Sequence, residues 1–468
     1  MKKLFPAVSI LILVSMALAA CAPAAPAATA VPPTAQVIIQ TQVVQQTSVV
    51  QQTVVVNQAV TATPAPPTVT GTVRIGSWDS GDGLIPVNNA IKSFQALYPS
   101  VKVQLESVPT DYGTKLLAEV ASGTAPDIIQ VGDGDTSTFA AKGMFEPLDD
   151  YISGKIGNNP LDMSVFYPAV AAIGKVGGKQ YLLTKDTSPL ILHFNKTLFD
   201  AAKVDYPTDK WTWDDLLAAA KKLTVTTGGK ITQWGIEIPD GWGDPSWTRG
   251  IAPLVYQNGG SLLSPDGKTT TGFINSDATV QALQWYFDLF NKYKVAPTAA
   301  DVAALSGQDL FATGKVAMMW TGIWGIRGYM ANPKLNFGVA QLPLGKQRGN
   351  SICWAGYAMY SKSQNKVAAW AFLKYMGAEG GAQELAKTAL TDVVSIADLQ
   401  GLTKDPFFGP VIADLANVKP LEILSNANYN SCVDTPLHDA IAAYTLKGGD
   451  LKAILTDLAK TADACLAK

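Results

Sequence analysis

The sequence predicts an α/β protein of two lobes, each a sheet flanked by helices, and three observations carry that expectation. Its 468 residues exceed what one hydrophobic core usually organises. Strand-like and helix-like hydrophobic patterns alternate from Gly71 onward, which implies parallel strands joined by crossover helices. A second stretch rich in helical periodicity follows, and the chain ends in helices.

The residues ahead of Gly71 read differently. Lys2 and Lys3 precede an apolar stretch from Ala7 to Leu18, the layout of a secretory leader and too short to span a bilayer comfortably. Its end, Leu18-Ala19-Ala20-Cys21, is similar to a bacterial lipobox. That makes residues 1–20 a signal peptide and Cys21 the expected lipidation site, set against an ordinary cleaved leader that ends near a cysteine. Residues 21–70 read as a tether: Pro, Ala, Thr, Val and Gln dominate, and no charged residue occurs from Ala22 to Val73. As a flexible coil this segment would reach roughly 40 Å. The Val/Gln repeats at 43–47 and 49–53 have the composition of strand-pairing segments.

The folded part opens with a strand at Thr72-Val73-Arg74-Ile75-Gly76. Val87, Ala90, Ile91, Phe94 and Tyr98 then recur at helical spacing until Pro99 stops the helix. Val101, Val103 and Leu105 alternate as a strand, Tyr112, Leu116, Leu117 and Val120 return to helical period, and 127–131 is again strand-like. Farther on, Thr212 with Asp215 forms a capping-box pattern, and Val280, Leu283, Phe287 and Phe290 share one helix face. Near the C-terminus two amphipathic runs flank Gly448-Gly449. Folded back there, they put Cys432 and Cys465 at the same end, which favours a disulfide over two buried thiols and leaves Cys353 over.

Lysine and arginine number 36 against 38 aspartates and glutamates, and no basic block occurs, so the electrostatic footprint of a nucleic-acid binder is missing. With two histidines in the chain and no paired-cysteine or HExxH spacing, a zinc site is not expected, nor is any cofactor. No phosphate-cradling loop or nucleophile elbow occurs, and Ser363 to Lys366 is a lone SxxK that reads as a helix cap.

Four segments carry a resemblance. "SFQALYPSVKVQLESVP", "ASGTAPDIIQVGDGDTSTFAAKGMFEPLDDYI", "LHFNKTLFDAAKVDYPTDKWTWDDLLAAAKKL" and "FATGKVAMMWTGIWGI" together resemble the extracellular solute-binding proteins of family 1, the maltose-binding-protein type, in the order that family has them. The resemblance implies the hinged clamshell of type II periplasmic binding proteins, with an N-lobe of residues 71–187 plus 340–388 and a C-lobe of 188–339 plus 389–468. It further implies a monomeric, non-enzymatic receptor that captures a sugar by hinge closure and hands it to an ABC permease, outside the cytoplasmic membrane and held there by the lipid alone. A glycerol phosphate, polyol or peptide ligand is the alternative on the same fold. A secreted glycoside hydrolase is the enzymatic one, since tryptophans and paired carboxylates serve it too. His193-Phe194-Asn195 stands where many relatives have Tyr before Asn, so maltose itself does not carry over.

A sugar site needs aromatic faces for C–H surfaces and paired polar groups for hydroxyls. Trp324 matches the family's stacking tryptophan by position, with Trp320 beside it, while Asp186 lies at the lobe crossing and Trp354 and Tyr357 in a further family segment. Trp78, Asp79 and Asp82 follow the first strand and Asp133 and Asp135 a later one, where loops at strand carboxyl ends form crevices. Trp242, Trp247 and Arg249 fall in an irregular Gly/Pro/Trp segment suited to a ligand wall, and Asp434 in an Asn-rich loop. Each competes with a packed-core or solvated-turn reading. The run from Asp133 lacks the glycine and glutamate of a calcium loop, so no metal is expected.

Overall fold

A computed structural model describes residues 69–238, 246–305, 308–387, 394–418 and 422–468. The chain divides into two compact units, Met1–Thr63 and Pro64–Lys468, and all described residues belong to the second. Cys21, the tether up to residue 68 and Trp242 lie outside the described residues.

Strand β1 (Gly71–Ser77) buries Val73 and Ile75 while Arg74 between them reaches the sheet edge. The helix Leu84–Leu97 buries Val87, Ala90, Ile91 and Phe94, the residues its spacing predicts, and returns the chain to β2 (Val101–Ser107), parallel to β1 with Val103 opposite Val73. Strand β3 (Ile128–Gly132) pairs with the other side of β1, again parallel. A small hairpin, β4 (Lys175–Val176) and β5 (Lys179–Gln180), leads to β6 (Leu182–Pro189), and Leu190 alone separates β6 from β7 (Ile191–Asn195). Strands β8 (Val225–Thr227), β9 (Lys230–Glu237), β10 (Val316–Thr321) and β11 (Phe337–Ala340) follow before β12 (Ile352–Met359).

These strands form two five-stranded sheets, ordered β2-β1-β3-β12-β6 and β11-β7-β10-β9-β8. Both are mixed. The parallel arrangement expected from the first alternating segments holds for β2-β1-β3, whereas β12 runs antiparallel to both β3 and β6. In the second sheet only β10 and β9 run parallel. Strands β7 and β10 are buried along their whole length, which removes the two-residue alternation and leaves near-continuous apolar runs.

The helix Trp213–Leu223 begins with the Thr212/Asp215 capping box and packs on β9 and β10. The C-terminal helices Thr435–Lys447 and Leu451–Leu466 pack together, and a disulfide joins Cys432 to Cys465 with Cα atoms 5.5 Å apart. Cys353 lies half-buried on β12.

The chain passes between the sheets at Leu190 and again between β11 and β12, and Asn350 ties these passages together. Its side-chain amide donates to the Leu190 carbonyl (2.8 Å) and to buried Asp414, while its backbone N–H donates to the Asn417 carbonyl (3.0 Å). Burial holds the Asp414 carboxyl above the ordinary range, with Asn417 and Asn350 offsetting part of that cost. One apolar cluster includes Ile129, Val131 and Leu182 of the first sheet and Leu192, Ile236 and Met318 of the second, so the sheets share a core at this side.

Candidate functional site

Strand register sets the site. Gly132 at the end of β3 lies opposite Ala355, and Ala355 lies opposite Asp186, so the carboxyl end of β3, the start of β12 and the end of β6 come abreast. Trp78 and Asp79, which leave the neighbouring β1, belong to the same edge, where loops leaving parallel strands open a crevice.

Two ion clusters occupy this edge. In the first, the Lys185 ammonium on β6 donates to both Asp79 oxygens (3.0 and 2.8 Å) and stands 3.4 Å from Asp186. Asp79 is fixed from inside the sheet: its backbone N–H donates to Ser77 Oγ (3.0 Å), and that hydroxyl donates to Gln130 Oε1 (2.5 Å). Trp78 beside it meets Tyr112 edge to face at 5.5 Å. In the second, Arg249 near the start of the helix Thr248–Gln257 lies 3.2 Å from Asp133 and 3.4 Å from Asp434. Thr248 also donates to Asp434, which ends the π-helical turn Asn430–Asp434, an irregularity frequent at functional sites. The Cys353 thiol hydrogen-bonds Asp133 as well.

In both clusters one cation serves two carboxylates, and the titration shifts follow from that ratio. Burial alone would weaken the Lys185 ammonium, but Asp186, Tyr357 and Asp79 outweigh it and hold its pKa above the usual lysine value. Burial likewise opposes the Arg249 charge, and Asp133 with Asp434 prevails. The carboxylates gain less. Burial lifts Asp186 and Asp133 above the ordinary range, and the single shared cation beside each offsets only part of it.

Aromatic surface adjoins these clusters. Trp247, two residues before Arg249, meets Trp324 edge to face at 6.0 Å. The loop after β10 carries Trp324, and its Ile323 N–H donates to Ser188 Oγ on β6 (2.9 Å), two residues from Asp186. A Cβ at position 322 would lie 1.9 Å from the Trp324 ring, so Gly322 is what lets the ring fold over its own backbone. Trp324 remains 43 % exposed.

The structure thus brings Trp78, Asp79, Asp133, Asp186, Trp247, Arg249, Trp324 and Asp434 to this region, with Asp135 exposed at the start of the helix Thr136–Ala141. Three expectations are corrected. Trp320 is 0 % exposed on β10 and packs in the core, because both faces of that strand are covered. Tyr357 is 1 % exposed, its ring in the core of the first sheet. Trp354 is buried with its indole N–H directed to Thr136 Oγ1 (3.4 Å), so it supports the loop after β3 rather than offering a ring face. Asp82 is exposed in the turn Gly81–Gly83, outside both ion clusters.

Lys185, Gln130, Thr248 and Tyr112 are structural partners of the site that sequence reasoning passes over. Gln130 had a signal, a lone amide in the apolar strand Ile128–Gly132. Lys185 shares the lobe-crossing segment Lys185-Asp186-Thr187, in which sequence reasoning favours Asp186. Among the described residues, no group of three or more His, Cys, Asp or Glu side chains is placed to hold a metal ion, and no helix is long and apolar enough to cross a membrane.

Comparison with known proteins adds a family. The model of the bacterial extracellular solute-binding proteins matches residues 38–383. Among curated relatives, a binding protein of Brucella abortus (strain 2308) is 27 % identical over 400 residues, covering 81 % of this chain and 89 % of its own length. The sn-glycerol-3-phosphate-binding periplasmic protein of Rhizobium meliloti (strain 1021) is 26 % identical over 239 residues, 48 % of this chain and 51 % of that protein. Among solved structures, the ABC substrate-binding protein of Listeria monocytogenes in complex with cycloalternan superposes with a TM-score of 0.74 at 26 % identity, covering 85 % of this chain and 99 % of the other. CpMnBP1 with mannotriose bound gives 0.67 at 27 %, covering 84 % and 100 %.

Proposed function

The chain belongs to the bacterial extracellular solute-binding proteins, non-enzymatic receptors of ABC transporters, and from that premise we propose that it captures a carbohydrate in the crevice between its two sheets. The observation that carries this reading is the adjacency of the Trp247/Trp324 pair to the paired polar groups at the edge of the first sheet. A sugar ring needs both, an aromatic surface for its C–H face and charged hydrogen-bonding groups for its hydroxyls once water is excluded. The solved relatives with cycloalternan and mannotriose bound support the same class.

In this reading the two sheets are the cores of an N-lobe (71–187 plus 340–388) and a C-lobe (188–339 plus 389–468), hinged at the passages that Asn350 joins. Solute docks on one lobe, closure brings the other lobe's groups onto it, and the closed form is what the permease engages. Cys21 carries the lipid that holds the receptor at the outer face of the membrane, and an unacylated Cys21 in the mass spectrum of the mature chain contradicts that part.

A thermal-unfolding screen of the full chain against mono- and oligosaccharides, polyols, glycerol phosphates and peptides tests the solute class. A ligand at 100 times its Kd adds about 2.7 kcal/mol. A rise in Tm with one sugar class supports the reading. A rise with glycerol 3-phosphate or a peptide alone overturns it, the first of these following instead the chemistry in the name of the Rhizobium relative.

A further inference from the structure

We propose that Arg249 selects the solute by donating from its one unengaged guanidinium nitrogen, Nη2, to a hydroxyl oxygen of the sugar seated in the gap over Gly134. This inference rests on the carbohydrate reading of the crevice and assigns the residues that decide which sugar it takes.

The other two guanidinium nitrogens each have a carboxylate beside them: Nε lies 3.2 Å from Asp133 and Nη1 3.4 Å from Asp434. Arg249 is also held through its backbone, since Ser351 Oγ donates to its carbonyl (2.8 Å). Asp133 comes from the loop after β3, Asp434 ends the π-helical turn Asn430–Asp434, and Ser351 directly precedes β12. Three distant segments therefore fix the direction in which the guanidinium fork points. Nη2 is left buried and without a hydrogen-bond partner among the described residues, a state that costs free energy until an acceptor reaches it.

A second observation says where that acceptor fits. A Cβ added at Gly134 would stand 3.8 Å from Arg249 Nη2 and 4.0 Å from Asn430 Nδ2, with no other heavy atom beyond the adjoining residues within 4 Å. Two donors thus face one atom-sized gap, and an oxygen about 1 Å nearer to them would accept from both. Gly134 does not have the left-handed backbone that calls for glycine, so what its missing side chain provides is the gap itself. A hydroxyl accepts two hydrogen bonds and keeps its own proton to donate, for which the Asp133 carboxylate beside Arg249 is an acceptor. A carboxylate or phosphate oxygen would instead meet the like charges of Asp133 and Asp434. Stacking on Trp247 and Trp324 discriminates weakly between sugars, whereas a buried donor that loses its acceptor rejects the analogue lacking it by a large factor.

Gly134→Ala is the direct test, because the added methyl makes only ordinary contacts in the free protein yet occupies the place of the oxygen. The full chain, as wild type, Gly134→Ala, Arg249→Lys and Asn430→Ala, is titrated by calorimetry with maltotriose, mannotriose, cellotriose and the monodeoxy analogues of whichever binds tightest. Gly134→Ala is expected to keep the unfolding midpoint of the sugar-free protein and to bind at least about thirty-fold more weakly. Arg249→Lys retains a cation between Asp133 and Asp434 but lacks the fork, and is expected to lose as much. One monodeoxy analogue is expected to lose a similar factor on the wild type, whereas Arg249→Lys binds that analogue and its parent nearly alike. Should Arg249→Lys fail to fold, Asn430→Ala, at a half-buried side chain, carries the same comparison. Undiminished binding by Gly134→Ala, or equal losses for the deoxy analogue on wild type and Arg249→Lys, overturns the inference and leaves the carbohydrate reading standing. Binding of none of these sugars by the wild type overturns both.

Discussion

Trp324 and Gly322 act as one unit, since the ring lies where a side chain at 322 would be. Trp324→Ala is expected to weaken sugar binding by about 2 kcal/mol, roughly thirty-fold in Kd, with a smaller loss of stability in the free protein than truncating a core tryptophan would give, because the ring is 43 % exposed. Unchanged affinity would remove Trp324 from the site. His193 shows the opposite situation: buried on β7 among Phe311, Tyr329 and Phe337, its pKa is pushed down to about 4 from 6.5 by burial. The unfolded chain therefore takes up this proton first as pH falls. The stability contribution of neutral His193 is complete above about pH 6.5 and is lost as pH drops toward about 4, a change of roughly 2 to 3 kcal/mol. His193→Phe is expected to flatten that part of the profile, read as the difference between wild-type and variant unfolding free energies at pH 7 and pH 4.5. A difference that does not change with pH contradicts the depressed pKa. At this scale sequence position identified residues near the site better than their exposure. Trp320 and Trp324 stand four apart in the same apolar run, and only tertiary packing decides that the first is core and the second exposed.

Elements with local signals were legible. The helix Leu84–Leu97 buries the predicted face, and Thr212 with Asp215 caps the helix Trp213–Leu223 through reciprocal hydrogen bonds. The direction of β12 was not, because an antiparallel partner for β3 arrives more than two hundred residues later and leaves no local pattern. The C-terminal helix pair lies between these cases: its periodicity and the Gly448-Gly449 break are local, while the bond between Cys432 and Cys465 closes a loop across a separation of 33 residues. Replacing both cysteines by alanine is expected to lower stability by about 3 to 4 kcal/mol in the chain-entropy model, measured as a fall in the urea midpoint under non-reducing conditions. An unchanged midpoint would show that the helices hold without the bond. Asp463 in the same helix accepts hydrogen bonds from the Thr269 and Thr270 side chains (2.7 and 2.8 Å), so the pair is also fixed to the preceding loop.

For the whole molecule, the site is assembled from segments distant in sequence. The loops after β1 and β3, the end of β6, the helix from Thr248 and the π-turn at Asn430–Asp434 meet because the chain crosses repeatedly between the sheets. That explains why the acidic loops and the tryptophan segment could be named separately from sequence, while the 2:1 pairing of carboxylates to cations could not. Asp133 and Asp434 are brought to one guanidinium only by the fold. A crystal structure of the protein with the sugar giving the largest rise in Tm tests the central claim most directly. The account predicts a sugar ring against Trp324 with polar groups on Asp186 or Asp133, and a ligand bound away from that crevice, or a phosphate held by Lys185 and Arg249 there, contradicts it.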